Sequence, residues 1–246
     1  MPRYFLEVSY KGTAYSGFQV QDNAVTIQAE VEQAFEILQK QRVTMTGSSR
    51  TDAGVHAVQN FLHFDFAEPI HEQFIYKINA ILPGDIVAKR LIPVAADAHC
   101  RFDAVSRDYK YFIYRHKDPF LRERAFYFPY KLDIDKMQQA ALVVSEYEDF
   151  TSFSKRNTQV KSFNCQVLES EWYVEDDCLV YHVKANRFLR GMVRALTATM
   201  LKVGRSKLNL DEFRHIIEMK DCTKASFATP SRGLFLVSVE YNMPGF

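Results

Sequence analysis

The sequence is short of most features that assign a function at sight. Its four cysteines, Cys100, Cys165, Cys178 and Cys222, contain no C-x-x-C pair and no zinc-like spacing. Its seven histidines show no metal spacing either, so neither a metal nor a cofactor is indicated. There is no Walker A loop, no G-x-G-x-x-G after a strand, no H-E-x-x-H and no G-x-S-x-G, which removes the usual signatures of four large enzyme classes. No apolar run approaches the length of a membrane span, and strand-like sequence starts within the first five residues, where a signal peptide would need its own apolar segment. Scattered thiols without a secretion signal lead us to expect a reduced, cytoplasmic protein with no membrane partner. Low-complexity tracts and short repeats are also absent.

Charge of one sign is lacking as well. The 31 Lys and Arg stand against 30 Asp and Glu, a net charge of +1. That excludes a binder whose whole surface is basic, but leaves room for a local basic groove. Two windows concentrate the positive charge. Residues 184–207 hold seven basic residues and no acidic one; residues 101–124 hold seven basic against four acidic. The rest is ordinary: 47% hydrophobic and 25% charged residues in 246, enough to bury a core without disulfides or a structural metal.

Periodicity predicts strands at residues 4–10, 42–46, 60–66, 86–94, 107–116 and 234–241, with a hairpin of 165–174 and 179–185 turning at Glu175-Asp176-Asp177. Helices are predicted at 26–40, 73–81, 134–144, 187–203 and 210–219. In the first, Ile27, Val31, Ala34, Phe35 and Leu38 form one stripe behind a Thr26 N-cap. Hairpins interleaved with helices predict an α+β fold, a mostly antiparallel sheet with helices on one face. The two halves are placed at residues 1–104 and 105–246.

Three segments carry candidate chemistry. Gly47-Ser48-Ser49-Arg50-Thr51-Asp52-Ala53-Gly54-Val55-His56-Ala57 sets a carboxylate and a guanidinium two residues apart on a loop between strands. Asp52 is either a nucleophile or base kept ionised by a cation, or an Asp bonding its own backbone in a turn. A dyad with His56 is less favoured than a surface histidine. In the predicted helix 187–203, Arg187, Arg190 and Arg194 fall in one sector at i, i+3 and i+7, either facing an anion or forming a solvated basic face. In Arg107-Asp108-Tyr109-Lys110-Tyr111, alternation puts Arg107, Tyr109 and Tyr111 on one face. Such rings and cations hold unstacked bases, or else pack in the core.

Taken together, these segments resemble the family of tRNA pseudouridine synthase A. The matching stretches are residues 5–21, Gly47 to His56, R-D-Y-K-Y at 107–111, D-F-T-S-F at 149–153, N-R-F-L-R-G-M-V-R at 186–194 and G-L-F-L at 233–236. They keep the family's order along nearly the whole chain. Phe18 stands where the family usually has Trp, and Ala228-Thr229-Pro230 varies the usual stretch before the last strand. The resemblance implies an isomerase that converts uridine to pseudouridine in the anticodon stem-loop of tRNA, at the positions conventionally numbered 38 to 40. It implies Asp52 as the catalytic aspartate, Tyr109 as the ring under the target uracil and Arg194 as the partner of Asp52. Arg50, Arg107, Arg187 and Arg190 are expected on the RNA. The implied fold is two related halves sharing a central sheet, with the catalytic cleft between them. The implied protein is a homodimer on tRNA, with no DNA partner, no metal and no organic cofactor. Two other readings compete: a non-catalytic RNA-binding module, and a phosphohydrolase with Asp52 as nucleophile, which lacks the neighbouring carboxylates such enzymes place around a metal.

Overall fold

Nine strands and five α-helices are described in a computed structural model that covers residues 1–156, 160–243 and 245–246. They cluster into two compact units, Met1–Val105 with Phe235–Phe246, and Ser106–Leu234. The last strand therefore counts with the first unit.

In the first unit the strands are β1 (Arg3–Tyr10), β2 (Thr46–Gly47), β3 (His56–Asp65), β4 (Ile86–Val94) and, from the C-terminus, β9 (Leu234–Tyr241). Their order is β4-β1-β3-β9. β1 is antiparallel to both neighbours, with Leu6 opposite Leu62 and Leu91. β9 runs parallel to β3 at His56 and Ala57, while β2 takes Leu62 and His63. Helix α1 (Ile27–Gln39) buries Ile27, Val31, Ala34 and Phe35 as its stripe predicts. Thr26 caps it by accepting from the Ala29 N–H, and Lys40 ends it at φ 58°. The Phe35 ring meets Phe64, Phe66 and, from α2 (Phe74–Asn79), Phe74 at 4.9–5.8 Å. The strand expected at 42–46 shrinks to β2. Side chains of α1 take the backbone groups a ladder would use: the Met45 N–H donates to Glu32 Oε1 (2.9 Å), and its carbonyl accepts from Gln28 Nε2 (2.7 Å).

The second unit holds β5 (Ala104–Tyr114, its first two residues counted with the other unit), β6 (Phe126–Tyr127), β7 (Val167–Glu175) and β8 (Cys178–Ala185), in the order β5-β8-β7. β8 is antiparallel to both neighbours, and β6 is parallel to β5. Asp176 and Asp177 turn the hairpin with φ of 48° and 60°, the double positive φ of a two-residue loop. Helix α3 (Ile134–Val144) starts on an Asp133 cap, and α5 (Leu210–Glu218) on a capping box of Asn209 and Glu212. Both pack against α4 (Met192–Gly204). These elements make the fold α+β with mostly antiparallel ladders, as the periodicity predicts. Among the described residues no helix is long and apolar enough to cross a membrane.

One expected helix begins late. The spacing predicts 187–203, but α4 starts at Met192, with Gly191 at φ 77° as its N-cap. Asn186 is tied instead to Gln166, its N–H to the Gln166 carbonyl (3.1 Å) and its Oδ1 to the Gln166 N–H (2.9 Å). The Arg190 carbonyl accepts from the Lys155 N–H (3.0 Å). These ties hold residues 186–190 as a loop, so Arg187 and Arg190 leave the helix and the single arginine stripe does not form.

Candidate active site

Asp52 lies half-buried on the loop between β2 and β3, and that loop is fixed along its length. The Ser48 N–H donates to the Phe61 carbonyl (2.8 Å), and the Ser49 N–H to Asn60 Oδ1 (3.2 Å). Asn60 Nδ2 donates to the Ser49 carbonyl (2.9 Å) and to the Tyr10 hydroxyl (3.2 Å). That hydroxyl is bonded to Thr51 Oγ1 (2.8 Å), and the Thr51 carbonyl accepts from the Phe18 N–H (3.0 Å). Beyond Asp52, its own carbonyl accepts from the Val55 N–H (3.1 Å), closing a turn through Gly54 at φ 77°. Arg50, within this frame, is exposed.

Close backbone approach explains the glycines of the opening segment. A Cβ on Gly12 would stand 2.0 Å from the Val55 carbonyl oxygen. One on Gly47 would stand 2.1 Å from the Phe18 ring. Phe18, at the position where an indole is usual, is fully buried beside Tyr10 at 5.9 Å, so packing is satisfied without an N–H donor. His56 is buried, not on the surface: it stacks on Phe235 at 4.5 Å, and its Nδ1 accepts from the Gly12 N–H (3.2 Å). That bond commits Nδ1 to holding the turn after β1 in place. The Oγ atoms of Ser48 and Ser49 are buried without a hydrogen-bond partner, a cost the loop carries.

In the second unit, β5 sets Tyr109 and Tyr111 in different surroundings. Tyr111 is fully buried and its hydroxyl donates to the Pro230 carbonyl (2.6 Å), while burial pushes its pKa up. Tyr109 stays half-buried, with Phe188 set edge-on against it at 5.0 Å and 81°. Core packing thus describes Tyr111, whereas Tyr109 is only half-buried. Arg107, only 9% exposed, donates from Nη1 to the Asn186 carbonyl (2.9 Å) and so braces the 186–190 loop. On that loop Arg187 is half-buried and Arg190 exposed.

Arg194 is held from the chain that precedes β9. Its Nε and Nη2 both donate to the Thr229 carbonyl (2.9 and 2.7 Å), and Thr229 Oγ1 donates back to the Arg194 carbonyl (2.8 Å). Nothing in the spacing of residues 194 and 229 signals this clamp. Asp149-Phe150-Thr151-Ser152-Phe153 is structural: both rings are buried, Asp149 accepts from the Thr151 N–H and Oγ1, and Lys220 pairs with it at 2.9 Å. Burial works against the Asp149 charge, but these bonds hold its pKa below the ordinary value. None of the four cysteines is in a disulfide, three of them are buried, and among the described residues no group of three or more His, Cys, Asp or Glu could hold a metal.

Comparison with known proteins shows the family of the chain. A family model described as tRNA pseudouridine synthase matches residues 7–103 and 147–242. The tRNA pseudouridine synthase A of Parabacteroides distasonis is 45% identical over 243 residues, 98% of this chain and 96% of its own length. Its namesake in Bacteroides fragilis is 44% identical over 242 residues, 97% and 96% of the two chains. That of Staphylococcus aureus is 36% identical over 240, 96% and 90%. Among solved structures, a partial Cas6-RT-Cas1--Cas2 complex aligns at a TM-score of 0.23 and 10% identity over 85% of this chain and 45% of that one, too weak to bear on the fold.

Proposed function

The chain belongs to the tRNA pseudouridine synthase family, and from that premise we propose that it isomerises uridine to pseudouridine in the anticodon stem-loop of tRNA, with Asp52 as the essential carboxylate. The observation that carries the assignment is the Asp52 loop itself, a carboxylate on a backbone pinned on both sides by buried bonds. The reaction breaks the N1–C1′ bond, turns the uracil and joins C1′ to C5; N1 gains a proton and C5 loses one to water. A carboxylate beside C1′ serves this either by trapping an oxocarbenium-like sugar or by removing a sugar proton to form a glycal. The detached base must be kept in place while it turns, and the half-buried ring of Tyr109 is the proposed flat support. Arg194, by the same reading, is the partner of Asp52.

A paired uridine must first leave the stack, at a cost of a few kcal/mol. Exposed Arg50 and Arg190, with Arg187, offset that cost at phosphates. Arg107, being buried, acts through the loop it braces. The reading includes a homodimer on one tRNA, in the cytoplasm, which sedimentation with and without tRNA tests.

The deciding experiment uses a tRNA transcript carrying tritium at C5 of uridine. Wild type should release tritium to water, and Asp52→Asn should bind the RNA and release none. Binding without release by the wild type would make the chain an RNA-binding module. Release that survives Asp52→Asn would keep the enzyme and remove Asp52 from the chemistry.

A further inference from the structure

The residues that hold the Asp52 loop are themselves polar and buried, which is a costly way to fold a loop. Tyr10, Thr51 and Asn60 belong to β1, the loop and β3, and all three are at most 8% exposed. The Tyr10 hydroxyl bonds Thr51 Oγ1 at 2.8 Å and accepts from Asn60 Nδ2 at 3.2 Å. Asn60 spends its remaining capacity on the backbone N–H groups of Ser49 and Phe61 and on the Ser49 carbonyl. Replacing such a set with apolar groups of the same shape is nearly neutral for stability. What apolar groups do not supply is direction: a hydrogen bond fixes Thr51 to a point on β1, and Asp52 is the next residue. On the far side, the turn bond from the Val55 N–H fixes the Asp52 carbonyl.

We propose that Tyr10 and Thr51, braced by Asn60, are positioning residues for the Asp52 carboxylate, setting its approach to the sugar without touching substrate. This rests on the reading of Asp52 given above. A carboxylate swung by an ångström still meets tRNA normally but reacts slowly, because a near-attack geometry is lost. The signature is therefore a loss in the chemical step with binding intact.

The test compares Tyr10→Phe, Thr51→Val, the double variant, Thr51→Ser and Asp52→Asn. Each is scored for single-turnover tritium release at saturating enzyme, tRNA Kd by filter binding, and unfolding by circular dichroism. Tyr10→Phe and Thr51→Val should each slow release about 10- to 100-fold with Kd near wild type. Each should also lower Tm because it leaves the other buried hydroxyl without this bond, a loss the double variant recovers in part. The double variant should be no slower than Tyr10→Phe, because Thr51→Val deletes only a bond that Tyr10→Phe already removes. Thr51→Ser, which keeps the hydroxyl, should recover most of the rate. Release within about twofold of wild type in both single variants overturns the proposal, as does a loss that lies in Kd or multiplies in the double variant. If either variant unfolds, the contrast between Thr51→Ser and the remaining one decides. Failure of the underlying reading looks different: Asp52→Asn would itself release tritium.

Discussion

Substituting Gly12 with alanine tests how tightly β1 is fitted to the Asp52 loop. The added Cβ would lie 2.0 Å from the Val55 carbonyl oxygen and 2.8 Å from its carbon, where ordinary contact begins at 3.4 Å. About 1.4 Å of displacement is needed, and both sides of the clash are backbone, so no rotamer relieves it. Neither side is loose. Gly12 donates to His56 Nδ1 and accepts from the Tyr15 N–H, while Val55 donates to the Asp52 carbonyl. Overpacking of this kind costs about 1–3 kcal/mol, which for a chain of this size lowers Tm by roughly 2–12 °C. The same push moves the turn that carries Asp52, and an ångström there is worth on the order of a hundredfold in rate. Circular dichroism should show the loss of Tm, and single-turnover tritium release the loss of rate. The only tryptophan, Trp172, is buried in the second unit against Tyr181 and Met200, so native tryptophan fluorescence should not change. A Tm within about 1 °C of wild type and a rate within about twofold would refute the reasoning, since the loop would then yield without consequence.

Two further outcomes follow from groups off this path. Ser48→Ala and Ser49→Ala remove buried hydroxyls that have no partner, so each should leave Tm unchanged or raise it; a fall of more than about 2 °C would show that the hydroxyl is satisfied in solution. His182 pairs through Nε2 with Asp108 at 2.8 Å and faces Glu171 and Glu169 at 3.3 and 3.8 Å, with Lys110 opposite it on β5. The Asp108 hydrogen bond, then the carboxylate charges, raise its pKa above 6.5 against the opposing effect of burial. The raised folded pKa means its stabilisation is complete below 6.5 and fades as pH rises through the folded value. The Tm advantage of wild type over His182→Gln should therefore be largest near pH 5–6 and shrink at higher pH; an advantage that grows with pH would refute it.

The elements with strong local signals were legible. The α1 stripe, the Thr26 cap and the Asp176-Asp177 turn each rest on neighbours within a few residues, and each appears where its spacing puts it. Misreadings occur where distant groups compete for the same backbone. Residues 42–45 alternate like a strand, but Gln28 and Glu32 of α1 capture Met45. The Tyr10–Thr51–Asn60 bonds span 41 and 50 residues, and no pattern in the sequence joins three such ordinary residues. Gly12 and Gly47 were visible only as glycines; the Val55 carbonyl and the Phe18 ring that demand them come from elsewhere in the chain. His56 shows the same limit, since its place in the core depends on Phe235.

The arginine pattern misled for a reason that bears on function. Arg187, Arg190 and Arg194 share a helical period, yet Gly191 divides them into two environments. Arg194 is one of only two residues of α4 that are not buried, the other being Lys202, so its guanidinium projects from a core helix and is clamped at the Thr229 carbonyl. Arg187 and Arg190 sit on a loop whose backbone is tied at Asn186 and Arg190. A cation proposed to partner a carboxylate gains from a fixed position, because its effect falls off with distance. Residues proposed to meet phosphates need no such fixed position, because phosphate contacts position RNA without specifying one geometry. A regular helix through all three would have given every arginine the same rigidity. The glycine at 191 therefore divides, within eight residues, a clamped arginine on a core helix from two arginines on a tied loop, and under the proposed function these are the Asp52 partner and the phosphate contacts.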